Sequence, residues 1–163
     1  MSPQVWPTAG SRVIAGGAVS GSSIVIDGLT GFQEYEVVLD LWASSTANDL
    51  SSRLRVGGVA NTTSNYDRQQ MIGSESTAAA TPAMGATSWS ALLAASRRDK
   101  LIVMRLFGLN AARRTVGQLT VQSWDATQFP RTISGGVRHR AATVLDGIEF
   151  SASTGTVTGE WYA

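Results

Sequence analysis

Short apolar runs separated by glycine-containing turns recur along the chain, and this spacing constrains the fold more than any other feature. Examples are the runs edged by Gly16-Gly17, Gly21 and Asp27-Gly28. Glycine supplies the backbone conformations that tight turns require. Turn signals at intervals of roughly ten residues are typical of a β-sandwich or β-barrel. The sequence therefore predicts an all-β fold of about eight to ten strands.

The clearest single strand lies in residues 34–42, where apolar and polar side chains alternate. Tyr35, Val37 and Leu39 project to one side and Glu36 to the other, as expected of a strand with one buried and one hydrated face. The alternating segment 51–56 follows a polar turn region. We expect it to be the hairpin partner of the strand before it.

Other segments differ in character. Residues 100–107 are almost continuously apolar, which predicts a central strand covered on both faces. Residues 73–91 have little pattern and are long for a loop, and such loops are often functional. Residues 90–96 could form a helical turn or two. Further strands are predicted within 12–19, 23–26, 61–72, 115–124, 131–134, 137–145, 147–151 and 156–161.

The length of 163 residues suits one domain, which would bury roughly 70% of its unfolded surface. No internal repeat or linker divides the chain, so we expect an arm and first strand in 1–20 and one β-sandwich domain in 21–163. The amino-terminal segment has no signal-peptide pattern and no run is long enough to span a membrane, so we expect a soluble protein without a secretion signal. Cysteine is absent, which excludes disulfides and thiolate metal sites.

Charge is sparse but uneven. Charged residues make up 15% of the chain and the net charge is +1, which argues against a protein that coats nucleic acid. Arginine forms planar bidentate pairs, so its predominance over lysine favours ordered protein contacts, although a solvated basic face is the alternative reading. The basic residues of the second half of the chain are Arg97, Arg98, Lys100, Arg105, Arg113, Arg114, Arg131, Arg138 and Arg140.

Catalytic patterns are not found. The single histidine, His139, lies between Arg138 and Arg140, and no neighbouring acid is available to orient it as a base. We expect it on the surface of a strand, and we expect neither enzyme activity nor a cofactor. Glu34 and Glu36 share a strand face, which an alternating hydrated face explains without a glycosidase site. A calcium site would have to bring scattered acids together, for example Asp146 with Glu149, or Asp27 with Asp49 or Asp67.

Five tryptophans are candidates for either core packing or partner contact. Trp42, Trp124 and Trp161 end predicted strands, and we expect them to be packed. Trp6 and Trp89 lie in irregular segments, where packing and contact with a partner are equal alternatives.

Three segments resemble virion proteins of tailed bacteriophages. Residues 24–39 hold a strand pair around a Gly-Leu turn, residues 50–55 hold an L-x-R-x strand, and residues 147–162 end in a Gly-x-Val-x-Gly type of strand. The resemblance implies a jelly-roll-like β-sandwich with a short amino-terminal arm, made in the bacterial cytoplasm. It also implies self-association on the phage surface, commonly as a trimer.

The chain differs in two respects from the long fibre proteins of that group. Only about 20 residues precede the first convincing strands, which leaves no room for a coiled coil, and residues 73–98 match nothing in the group. We therefore expect a capsid decoration or cement protein whose arm, around Val5 and Trp6, docks on the major capsid protein. Its partners would be the capsid and copies of itself, not nucleic acid or membrane. The other candidate contact residues are Trp89, Arg97, Arg98, Arg113 and Arg114.

Two alternatives stay open. The first is a receptor- or carbohydrate-binding module of the tail- or head-fibre type, with Trp89, Tyr66 or the arginine-rich loops as the sugar platform. The second is an enzyme that acts on cell-envelope polysaccharide, which would need a pair of carboxylates in a cleft.

Overall fold

A computed structural model describes residues 14–43, 50–74, 77–89, 99–124 and 130–163. These residues form twelve β-strands, more than the eight to ten predicted. In chain order the strands are β1 (Gly16–Gly21), β2 (Ser23–Asp27), β3 (Glu34–Ala43), β4 (Leu50–Val56), β5 (Val59–Ala60), β6 (Tyr66–Ser74), β7 (Thr77–Ala86), β8 (Asp99–Phe107), β9 (Arg114–Trp124), β10 (Pro130–Ala142), β11 (Gly147–Ala152) and β12 (Val157–Tyr162).

The strands build two antiparallel sheets, which confirms the predicted all-β sandwich. The large sheet has eight strands in the order β1-β12-β3-β8-β9-β10-β6-β7, and the small sheet has four in the order β2-β11-β4-β5. The chain crosses between sheets after β1, β2, β3, β5, β10 and β11. Consecutive strands therefore often pack across the core instead of pairing side by side.

The core lies between the sheets because nearly every long strand alternates. Along β9 every second residue is buried, and its neighbours keep the same period. Leu39, Ile102, Val121 and Ile133 occupy one row across four strands of the large sheet, and all four are at most 1% exposed. The small sheet contributes a matching row, Ile26, Ile148 and Leu54.

The hairpin expected between residues 34–42 and 51–56 is not formed. Strand β3 pairs with β8 and β12 in the large sheet, whereas β4 pairs with β11 and β5 in the small sheet. Both strands have one apolar face, and a sandwich can bury such a face from either layer. Alternation predicted each strand correctly but could not assign its sheet.

Two other segments correct the sequence prediction. Residues 77–86 of the expected loop are strand β7 at an edge of the large sheet. Strand β8 is central, as predicted, but only its inner face is fully buried, because Arg105 is exposed and Leu101 and Val103 are half-buried. The possible helical turn at 90–96 lies outside the described residues.

Candidate binding face of the large sheet

The proposed contact residues fall into three groups. Val5, Trp6, Arg97 and Arg98 lie outside the described residues. Arg113 and Arg114 are exposed at one end of the large sheet, and Trp89 is fully buried.

Trp89 is a core residue, so its proposed role as a partner contact or sugar platform is wrong. Its backbone exchanges hydrogen bonds of 2.9 and 3.0 Å with Ser52 of β4. The indole Nε1 donates to the carbonyl oxygen of Arg138 at 3.2 Å, and the ring meets Tyr66 edge-on with centroids 5.2 Å apart. A tryptophan with its polar atom satisfied in this way packs the two sheets together. Tyr66 is also fully buried and cannot be a sugar platform either.

The outward face of the large sheet has a basic end. Arg113, in the turn before β9, donates from Nη2 to Oε1 of Gln33 at 2.8 Å, and Arg114 opens β9. Residues opposite each other in an antiparallel pair share a face, so register places further arginines on this surface. They are Arg105 and Arg138, and the exposed Arg140 joins them through its contact with Asp67.

Three of the arginines at this end have acidic partners. Arg138 contacts Oδ2 of Asp67 through Nη2 at 2.6 Å, and Arg140 lies 3.4 Å from Oδ1. Burial opposes ionisation of Asp67, but the hydrogen bonds from Arg138 and the Gly85 amide, with the charge of Arg140, outweigh it and lower the pKa of Asp67. Arg105 pairs with Glu36 at 2.5 Å. The basic end is therefore an ordered ion-pair network, with Arg114 and Arg113 at its border.

The opposite end of the same face is aromatic and acidic. Trp42 lies next to the last residue of β3 and Trp124 ends β9. Both are in register with Asp99 of β8, which lies between them. Trp42 is 47% exposed and Trp124 is 39% exposed, so the prediction that these two tryptophans are packed is wrong. In the adjacent row, Glu160 and Asp40 lie opposite each other.

The alternation of buried and exposed residues along β3 and β9 was enough to predict that Trp42 and Trp124 are exposed. Trp42 is an even number of residues from Glu36 and Asp40, so it lies on their exposed face of β3. Trp124 lies in the same way on the exposed face of β9 with Gln118 and Gln122. Hydrophobicity alone suggested packing. Alternation would have assigned both indoles to the hydrated face.

His139 is not on the surface, which corrects the prediction for this residue. Strand β10 turns it inward, where it is fully buried and packs edge-on against Tyr66 with ring centroids 4.9 Å apart. Burial lowers the pKa of His139 despite an opposing contact with the Ala141 backbone. A buried neutral imidazole among aromatic rings serves packing.

The carboxylates considered for metal or sugar chemistry have other partners. Asp27 and Glu149 both bind Arg55 at 2.7 Å on the outside of the small sheet. Asp146 accepts a hydrogen bond from the amide of Gly57 at 3.0 Å, and Asp67 belongs to the arginine network described above. In the described ranges no three histidine or acidic residues converge on a possible metal position. Asp49 lies outside those ranges.

No helix in the described part of the chain is long and apolar enough to cross a membrane. No protein-family model, curated protein or solved structure matches this chain.

Proposed function

We propose that this chain is a structural protein that associates with copies of itself through an edge of its large sheet. The observation that supports this proposal is the composition of the two edge strands. Neither β1, with the sequence GGAVSG, nor β7, with the sequence TAAATPAMGA, contains a charged residue. Monomeric β-proteins commonly protect such edges with lysine, proline or irregular backbone.

Strand β7 has one protected half and one unprotected half. Pro82 lacks an amide hydrogen, Gly85 has a φ of 66°, and the register with β6 shifts between Tyr66 and Arg68. Residues 77–81 pair regularly with β6 and carry only alanine and threonine, and Ala78, Ala79 and Ala80 are exposed. Small side chains leave the backbone groups of this half open to another strand.

The symmetry of an assembly depends on what β7 meets. Two β7 edges related by a two-fold axis give a dimer, because the same surface is used on both copies. A trimer, which the phage resemblance implies, needs β7 to contact a different surface. The uncharged β1 edge is the matching candidate, because Gly16, Gly17 and Ala18 are small and exposed.

Placement on a phage capsid is the part of the proposal that comes from the resemblance. The protein would act as a decoration or cement protein, with the arm around Val5 and Trp6 on the major capsid protein. Deleting residues 1–11 should abolish capsid binding without unfolding the sandwich, and normal binding by the truncated chain would refute the arm.

Light scattering after size-exclusion chromatography tests self-association. The wild type should elute as an oligomer, and the double variant Ala78→Lys/Ala80→Lys should be a monomer because two cations lie along the free edge. The control Thr30→Lys/Val144→Lys adds the same charge at exposed positions outside the strands and should remain oligomeric. A monomeric wild type, or an oligomer that survives the edge variant, would overturn the proposal.

A further inference from the structure

We propose that Trp42 and Trp124 form a two-ring platform that binds an uncharged polysaccharide chain on the outward face of the large sheet. This site is separate from the β7 edge, and its ligand is independent of the self-association proposed above.

The first argument is the arrangement of the rings. Trp42, Asp99 and Trp124 occupy one row across β3, β8 and β9 and share a face. Neighbouring strands are about 4.8 Å apart, so the backbones that carry the two indoles are about 10 Å apart. One sugar ring is too small to cover both indoles, whereas a short oligosaccharide laid across the strands can reach both.

The second argument is the exposure of the rings. Tryptophan is highly buried on average, yet these two side chains are 47% and 39% exposed. The fully buried Trp89 shows that the same fold can enclose an indole completely. Exposed aromatic side chains with polar neighbours are typical of ligand sites. An indole can stack on the C–H face of a pyranose ring, while the hydroxyls at the ring edge need hydrogen-bond partners.

The third argument is the polar surroundings. Asp99 lies between the indoles, and the adjacent row on the same face contains Asp40, Leu101 and Gln122 in register. Asp40, Asp99 and Gln122 are exposed. Carboxylates accept hydrogen bonds from sugar hydroxyls, and the amide of Gln122 can both donate and accept. Within the described residues neither Asp40 nor Asp99 takes part in an ion pair.

The fourth argument is charge, which selects among occupants. The charged residues in the three outward rows at this end, so far as the structure describes them, are Asp40, Asp99 and Glu160. Within these rows the described residues provide three carboxylates and no cation, which disfavours anionic polysaccharides and nucleic acids. A two-fold contact with a second copy would place the same carboxylates against one another. An uncharged glycan avoids both costs.

The test is a titration of the full chain with uncharged hexasaccharides of β-1,4-linked glucose, mannose and N-acetylglucosamine, followed by calorimetry and tryptophan fluorescence. At least one should bind, and polygalacturonate should not. Trp42→Ala and Trp124→Ala should each weaken binding about tenfold, because each removes one stacking contact. Phe32→Ala is the matched control, since Phe32 is 45% exposed outside this row, and it should bind as the wild type does.

The tryptophan variants must be folded for their binding to be interpreted. Circular dichroism and thermal melting of the tryptophan variants will show whether they are folded, and the conservative pair Trp42→Phe and Trp124→Phe should recover part of the affinity. Absence of binding to all three hexasaccharides would overturn the proposal, as would equal binding by folded alanine variants. An oligomer that dissociates in Trp42→Ala without any glycan binding would assign the platform to a second copy instead.

Discussion

Individual buried polar residues connect the two sheets. The Tyr66 hydroxyl of β6 donates to the carbonyl of Asn61 at 2.7 Å and accepts from the amide of Leu54, in the small sheet, at 3.0 Å. Burial raises the pKa of Tyr66 to about 12 although the bond with the Leu54 amide and the charge of Arg53 oppose it. The bond with Leu54 is buried and the bond with Asn61 is partly buried, and a lost partner leaves a buried polar group unsatisfied.

Replacing Tyr66 with phenylalanine should therefore destabilise the fold by about 1–3 kcal/mol, because the Leu54 amide and the Asn61 carbonyl lose their partner. Denaturant unfolding followed by fluorescence measures the change. Tyr162→Phe is the control. Its hydroxyl contacts Glu160 on the outward face, where water can replace the bond, so the expected loss is below about 0.5 kcal/mol. Equal losses for the two variants would contradict the bridging role of Tyr66.

The single histidine gives a second prediction at the scale of one residue. Because burial lowers the pKa of His139, the unfolded chain binds this proton more readily than the native chain does. The stabilisation is fully present above the unfolded pKa of about 6.5 and is lost as the pH falls below it, toward the native pKa. The pKa of Asp67 is also lowered, from an ordinary value of 3.8, so protonation of Asp67 affects the free energy of unfolding only at pH values near and below 3.8.

The free energy of unfolding should therefore fall between neutral pH and about pH 5, by at most about 1.4 kcal/mol for each pH unit. The variant His139→Gln should show a flat profile in the same interval, measured by denaturant titration at each pH. If the variant keeps the wild-type slope, another group is responsible for it.

At the scale of single strands, close approach of a neighbouring backbone explains why a glycine stands inside β10. Gly135 lies inside β10 between β9 and β6. A Cβ placed there would approach the carbonyl oxygen of Gln69 to 2.1 Å, whereas a Cβ at Gly136 would meet nothing nearer than the Gly117 oxygen at 4.0 Å. Both glycines therefore lie in the interior of the strand, and only Gly135 is crowded.

Substitution of these neighbours should give opposite results. Gly135→Ala should destabilise the protein by about 1–3 kcal/mol because β6 must move away. Gly136→Ala should be neutral or slightly stabilising, because alanine restricts the unfolded chain more than glycine does. Thermal melting of both variants is the measurement, and similar melting temperatures would contradict the assigned register.

Sequence reasoning predicted most strands and failed where tertiary pairing overrides local preference. Alternation gave β3 and β9 because each has one face in the core. It missed β7, since alanine, glycine and proline have low strand preference and this strand is held in place by its pairing with β6. For the candidate face, the sequence identified the exposed Arg113 and Arg114 but not Trp42 and Trp124. Alternation assigns both indoles to the hydrated face, but only the pairing of β3 with β8 brings Trp42 into the same row as Asp99 and Trp124.

At the scale of the whole molecule, the outward face of the large sheet is polarised. One end carries the arginine network around Asp67, and the other carries Asp40, Asp99 and Glu160 beside the two tryptophans. Two routes to self-association are therefore conceivable. Copies could attract each other end to end through opposite charges, or they could join through the uncharged β7 edge proposed above.

Salt distinguishes the two routes. Attraction between exposed charges is screened over a Debye length of about 3 Å at 1 M salt, compared with about 30 Å at 0.01 M, so an oligomer held by the polarised ends should dissociate as sodium chloride is added. An oligomer joined by backbone hydrogen bonds and small apolar side chains at β7 has no such dependence. We expect sedimentation velocity to give the same oligomer fraction at low and high salt for the wild type. Dissociation of the wild type at high salt would assign the assembly to its charged ends, and residues 77–81 would then be an edge that remains open.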